Sequence, residues 1–158
     1  MLKILLGIII VGLTTIVGKK ATKRHILRTN FFSSLSEFNS ALLRDLAYKK
    51  DGVVSVLKKK YQDEEFNEYV RKVSFAYINN EQTPFPPEFL SETDKKTVTE
   101  YFYEIGRYGE RAQKDYLKVK REEFAEKVTE LKKISDKFST LGSKLGFALG
   151  AVLFILIV

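Results

Sequence analysis

Residues 111–158 read RAQKDYLKVKREEFAEKVTELKKISDKFSTLGSKLGFALGAVLFILIV. From Leu117 an apolar side chain returns every seventh position, as Leu117, Phe124, Leu131, Phe138 and Leu145, and Val128, Ile134 and Leu141 fill the same stripe. That spacing predicts a helix with one buried face. Lys118, Lys120, Glu122, Glu126, Lys127, Glu130 and Lys132 lie off the stripe, and neither Pro nor Gly breaks it before Gly142. Past Lys144 the charges stop. Leu145 to Val158 is apolar on every side, so one long helix is expected to change solvent, from protein to lipid.

The opposite end has the same character. Met1 to Gly18, MLKILLGIIIVGLTTIVG, carries one charge, Lys3. As a helix it covers about 26 Å, close to a hydrocarbon core of about 30 Å. Its heavier charge follows the run, as Lys19, Lys20, Lys23, Arg24 and Arg28, and Thr15 to Lys20 offers no small-x-small cleavage site. The pattern is that of a retained anchor rather than a cleaved signal. The fourteen residues 145–158 cover only about 21 Å, so a full span there has to reach back to Leu141. The expected organisation is an N-terminal transmembrane segment, 1–18, a cytoplasmic helical bundle, 19–144, and a C-terminal transmembrane segment, 145–158.

Between the ends the apolar spacing stays helical. Ile26, Leu27, Phe31, Leu35, Phe38, Leu42 and Leu46 continue the first helix to about Lys50, where Asp51-Gly52 stops it. A short helix is expected over Val53–Tyr61. A third runs from Asp63 or Glu64 to Ile78 with Phe66, Tyr69, Val70, Val73 and Tyr77 inside. Asn79 to Phe89, with Pro84, Pro86 and Pro87, reads as a stiff connector. Ser91 caps the next helix ahead of Glu92 and Asp94, and Val98, Tyr101, Phe102 and Ile105 line it. Gly106 and Gly109 bracket a turn before the last helix. No segment alternates, so no sheet is expected. The fold class is all-α, a bundle built on two long antiparallel helices that each continue into a membrane segment.

Net charge is +7, from 27 basic and 20 acidic residues. Basic clusters beside both apolar ends place the central region on the cytoplasmic side and both termini across or near the far leaflet. With no Cys, disulfides, thiolate zinc sites and Cys nucleophiles are excluded. His25 is the one His; it has no metal-ligand companion, and Lys23, Arg24 and Arg28 disfavour its charged form. Carboxylates such as Asp63, Glu64, Glu65 and Glu68, or Glu122, Glu123 and Glu126, alternate with Lys and Arg at helical spacing as solvated faces do. No G-x-S-x-G, P-loop or H-E-x-x-H occurs. The reading is therefore not an enzyme, with no catalytic, cofactor-binding or metal residue.

Two sets of residues stand out. Gly142, Gly146 and Gly150 recur every fourth residue and share a helix face, which lets another backbone approach closely in lipid; Gly7 and Gly18 form a weaker match on the first segment. Around the glycine turn, aromatic residues cluster as Tyr101, Phe102, Tyr103, Tyr108 and Tyr116, and Arg107, Tyr108, Glu110 and Arg111 are candidates for protein contact.

The opening MLKILLG run closed by Gly18, the basic helix through Leu42, Leu46 and Tyr48, the Ile105-Gly106 turn followed by Gln113, and the closing Leu141-Gly142-x-x-x-Gly146 run together resemble the stage III sporulation protein AB family. That resemblance covers nearly the whole chain. It implies a scaffold in the mother-cell membrane facing the forespore, part of the secretion-like channel between the two cells, with a helical cytoplasmic region similar to the type II secretion platform protein. Implied partners are other channel membrane subunits and a cytoplasmic secretion-type ATPase, with membrane lipid and a further copy of the chain as additional contacts and no nucleic acid. The alternative is a membrane-tethered basic helical module binding anionic lipid or nucleic acid.

Overall fold

The computed structural model describes residues 2–48 and 53–157, with side chains over 22–46 and 53–138 and at 148 and 152. Among the described residues five helices follow in order: α1 (Leu2–Tyr48), α2 (Val53–Leu57), α3 (Glu64–Asn79), α4 (Glu92–Glu104) and α5 (Glu110–Ile157). Among the described residues there is no strand, so the all-α class holds. The chain divides into two compact units, Asn30–Thr129 and the paired stretches Met1–Thr29 and Glu130–Val158.

Asn30–Thr129 is a helical bundle with an aromatic core. Phe31, Phe32, Leu35, Phe38 and Leu42 of α1 are at most 1% exposed. Phe38 meets Tyr61, Phe66, Tyr101 and Phe102 at centroid distances of 5.3–6.2 Å, in the tilted and edge-on geometries that ring quadrupoles favour. Within this unit α1 and α5 run antiparallel. Phe32 packs edge-on against Phe124, and seven residues later on α1 Asn39 donates to the carbonyl of Leu117, seven residues earlier on α5.

Local chemistry sets the shorter helices. Asp63 caps α3 by accepting from the Phe66 N–H at 3.0 Å, and Glu64 and Glu65 complement its first turn. Asn80 closes it with φ 57°, its N–H on the Ala76 carbonyl. Ser91 caps α4 through the Asp94 N–H, as the sequence predicts. The second helix is shorter than expected and ends at Leu57 rather than Tyr61. Tyr61 leaves the helical path because Asn67 engages its backbone twice, accepting from its N–H at 2.7 Å and donating to its carbonyl at 2.8 Å. Its ring then turns inward and its hydroxyl donates to Val56 O.

A second correction concerns α3. Ala76, not Tyr77, completes the buried face with Phe66, Tyr69, Val70 and Val73, and Tyr77 is 41% exposed. Helix phase alone keeps Tyr77 on the stripe side, but α3 ends two residues later at Asn79. There the Tyr77 side chain runs along the turn beside Gly106 and lines an open groove, where the small Ala76 is covered and the long ring is not.

In the other unit the described side chains form a helix pair. Thr22 Oγ1 reaches Phe138 O at 3.4 Å, and the His25 ring stacks on Phe138 at 4.3 Å, 17° from parallel. Ile26 and Phe138, expected on the apolar stripes, are 41% and 44% exposed. Two helices bury only their shared seam, so stripe residues at its edge stay in contact with solvent. Among the described residues no helix is long and apolar enough to cross a membrane. The apolar runs 1–18 and 145–158 lie outside the described side chains, apart from Ala148 and Val152.

Candidate functional site

The turn between α4 and α5 is built by three constraints. Ile105 ends α4 with its N–H on Tyr101 O, and Arg107 N–H reaches Glu104 O at 3.3 Å. Gly106 takes φ +83°, in the left-handed region that a Cβ disfavours. A Cβ built there would also stand 2.7 Å from the Tyr77 hydroxyl. From α5, the buried Gln113 holds the turn by accepting the Gly106 N–H on Oε1 at 3.1 Å. Its Nε2 is buried with no partner among the described residues.

The four predicted contact residues are all exposed around this turn. Arg107 lays its guanidinium 3.4 Å from the Tyr103 ring centroid. Tyr108 is 44% exposed, its ring 5.7 Å from Tyr116. The hydrogen bond to Glu104 raises the Tyr108 phenol above its usual range, because the protonated form is the donor. Glu110 pairs with Lys114 at 2.9 Å. Arg111 is exposed one residue into the helix.

Of these four, Arg107 alone lines the adjoining groove, an open trough of about 870 Å³ between the ends of α3 and α4. Val73, Ala76, Phe102 and Ile105 supply its buried wall, and Tyr77, Tyr103, Glu81 and Glu100 its exposed rim. A shallower trough of about 530 Å³ adjoins it, with Arg71, Lys72, Phe75 and Pro84 in its lining. Phe75, Ile78 and Phe85 are 63%, 60% and 97% exposed. These residues were missed in the sequence reading. Phe75 and Ile78 were legible as an i, i+3 pair lying off the Phe66–Val73 stripe.

The buried ionisable groups serve the fold. Burial pushes the phenols of Tyr61, Tyr69, Tyr101 and Tyr116 up, so they stay protonated. Three donate to fixed acceptors: Tyr61 to Val56 O, Tyr69 to Pro84 O, and Tyr101 to Asn39 Oδ1. Asp45 accepts from Ser55 and Lys59, and Asp94, 2% exposed, lies 3.7 Å from Lys127. Burial raises Asp63, with the Phe66 N–H opposing it, and the Lys72 ammonium beside Glu68 lowers that carboxylate. His25 is lowered by burial first and then by Arg28 and Arg24. Among the described residues no group of three or more His, Cys, Asp or Glu could hold a metal ion. The glycine candidates Gly7, Gly18, Gly142, Gly146 and Gly150 lie outside the residues whose side chains are described.

Compared with known proteins, the chain matches no protein-family model, no curated protein and no solved structure.

Proposed function

We propose that this chain is a non-enzymatic, membrane-anchored platform subunit of the secretion-like channel joining mother cell and forespore, working beside a cytoplasmic secretion-type ATPase. The observation that carries the proposal is connectivity. The two long helices that clasp the bundle antiparallel, α1 and α5, are the same two whose outer ends are the apolar runs 1–18 and 145–158. A bundle so connected is tied to a bilayer at both chain ends and is suited to transmit or resist force, and its buried polar groups serve packing rather than chemistry. The resemblance to stage III sporulation protein AB adds the channel and the ATPase.

In this proposal the bundle is cytoplasmic, in the mother cell, and both termini lie toward the far leaflet. Deleting the gene in the source organism tests it, scored by microscopy and a late forespore reporter. Arrest after engulfment with a silent reporter, restored by the intact gene, is expected. Normal spores with an active reporter refute it.

A further inference from the structure

The excess charge of the chain is confined to one of its two units. Met1–Thr29 and Glu130–Val158 together carry ten basic residues against two acidic ones, a net +8, whereas Asn30–Thr129 carries seventeen against eighteen, a net −1. The units also differ in how lysines are used. In the bundle Lys59, Lys72, Lys95, Lys96, Lys114, Lys118, Lys120 and Lys127 each pair with a carboxylate at 3.8 Å or less, whereas Lys58 and Lys60 are exposed and make no ion pair among the described residues. In the helix pair Lys23, Lys132, Lys133 and Lys137 are exposed, and none makes an ion pair among the described residues.

Their placement follows from the helix period. Leu131 and Ser135 are buried and Phe138 stacks on His25, a stripe at spacings of four and three. Lys133 and Lys137 fall on the far side of α5 from that stripe, about half a turn round. Lys23 stands beside Thr22, whose hydroxyl touches Phe138 O one residue from Lys137. Lys23 and Lys137 therefore stand at one level of the pair, and Lys132 and Lys133 lie about 6–8 Å further along α5 from the apolar run. From that level the apolar runs begin five residues away on α1, at Gly18, and eight away on α5, at Leu145, about 7 and 12 Å of helix. Lys19, Lys20 and Lys144 lie in between.

We propose that these lysines form a collar that binds anionic phospholipid headgroups. This rests on the membrane reading above and adds a lipid class to it. Phosphate esters supply the missing counter-charge, and lysine stems lie along the apolar boundary while their heads reach the headgroup layer. The bundle, with net −1 and eight paired lysines, offers only Lys58 and Lys60 and has no comparable affinity. Each basic residue near such a surface contributes about fivefold to partitioning, and salt weakens it.

The test uses the full chain in nanodiscs of equal phosphatidylcholine and phosphatidylglycerol, with the retained lipid counted by native mass spectrometry. The wild type is expected to retain phosphatidylglycerol at least tenfold over its bulk share, and 0.5 M NaCl to reduce that excess. The K23Q/K132Q/K133Q/K137Q variant is expected to lose it, while the same charge change in the bundle, K72Q/K96Q/K114Q/K118Q, preserves it. Retention at the bulk ratio by the wild type, or equal losses in both variants, overturns the collar. So does tighter binding of a single-stranded RNA than of phosphatidylglycerol vesicles at matched salt, which assigns the lysines to nucleic acid. Carbonate extraction separates the two readings. A chain released by carbonate that still prefers phosphatidylglycerol supports the collar and refutes the anchors, and a chain that stays in the bilayer with no preference does the reverse.

Discussion

Replacing Asn39 by Leu should be among the most damaging polar-to-apolar changes in the bundle, although it keeps the side-chain volume. Asn39 is fully buried; its Nδ2 donates to Leu117 O at 2.9 Å and its Oδ1 accepts from the equally buried Tyr101 hydroxyl at 3.0 Å. Asn39→Leu removes two hydrogen bonds, at about 1 kcal/mol each, and strands a phenolic donor, at about 1–3 kcal/mol; the loss is about 3–5 kcal/mol. Tyr101→Phe removes one bond and leaves Oδ1 unmet, for about 2 kcal/mol. With both changes no hydroxyl is stranded, so the double variant should lose only about 2–3 kcal/mol, well short of the sum. Urea pulse proteolysis of the full chain reads these values, because cleavage follows the open population. At a slope of about 1.5 kcal/mol per molar, Asn39→Leu lowers the midpoint by about 2–3 M. Losses that add within about 0.5 kcal/mol would refute a coupled pair.

Gly106→Ala should destabilise by about 1–2 kcal/mol, from the left-handed backbone and the Tyr77 hydroxyl at 2.7 Å, and Gly109→Ala, with nothing within 4 Å, by under about 0.5 kcal/mol; equal losses in thermal melts would contradict the turn geometry. His25 has a folded pKa below 6.5, so as pH falls through and below 6.5 the unfolded chain takes the proton first and stability drops, returning as pH rises. Hydrogen exchange over 22–29 and 131–138, corrected for intrinsic rates, should show protection falling from pH 7.5 to 5.5 in the wild type and unchanged in His25→Gln. Gly146→Leu should weaken co-purification of membrane partners while the bundle melts normally, and wild-type recovery of partners would remove the glycine face from consideration. Single cysteines at Thr22, Gln82 and Ser143 should all label from the cytoplasmic side; labelling of Gln82 from outside inverts the topology.

Much of the fold was legible because it rests on repeating spacings and local caps. Leu117, Phe124 and Leu131 are buried as their seven-residue recurrence predicts, and Ser91 stands at its helix start. Tyr61 was not legible, because its exit from the helix depends on Asn67, six residues ahead, and an amide side chain has no period. Tyr77 was misassigned because its helix phase does point to the core, whereas its exposure depends on where α3 ends and on the open groove beside Gly106, which no spacing within α3 encodes. At the turn the sequence identified Arg107, Tyr108, Glu110 and Arg111 as exposed. The groove was beyond it, since α3 and α4 meet across sequence distances that no local pattern encodes.

The α1–α5 seam has the properties of a rack with one detent. On α1, Phe32 faces Phe124 and Asn39 faces Leu117, seven residues apart on each helix, and Leu131 continues the α5 stripe at the same interval. Sliding one helix by a heptad, about 10.5 Å, would again set apolar on apolar, so greasy packing alone tolerates the step. Asn39 does not tolerate it. Moved by seven, its amide would face the Phe124 ring, and the Leu117 carbonyl and Tyr101 hydroxyl would both lose it, the kind of penalty by which one buried Asn fixes alignment in paired helices. A pull along α1 would then meet its stiffest resistance at a single amide, while the aromatic contacts around it are free to re-seat.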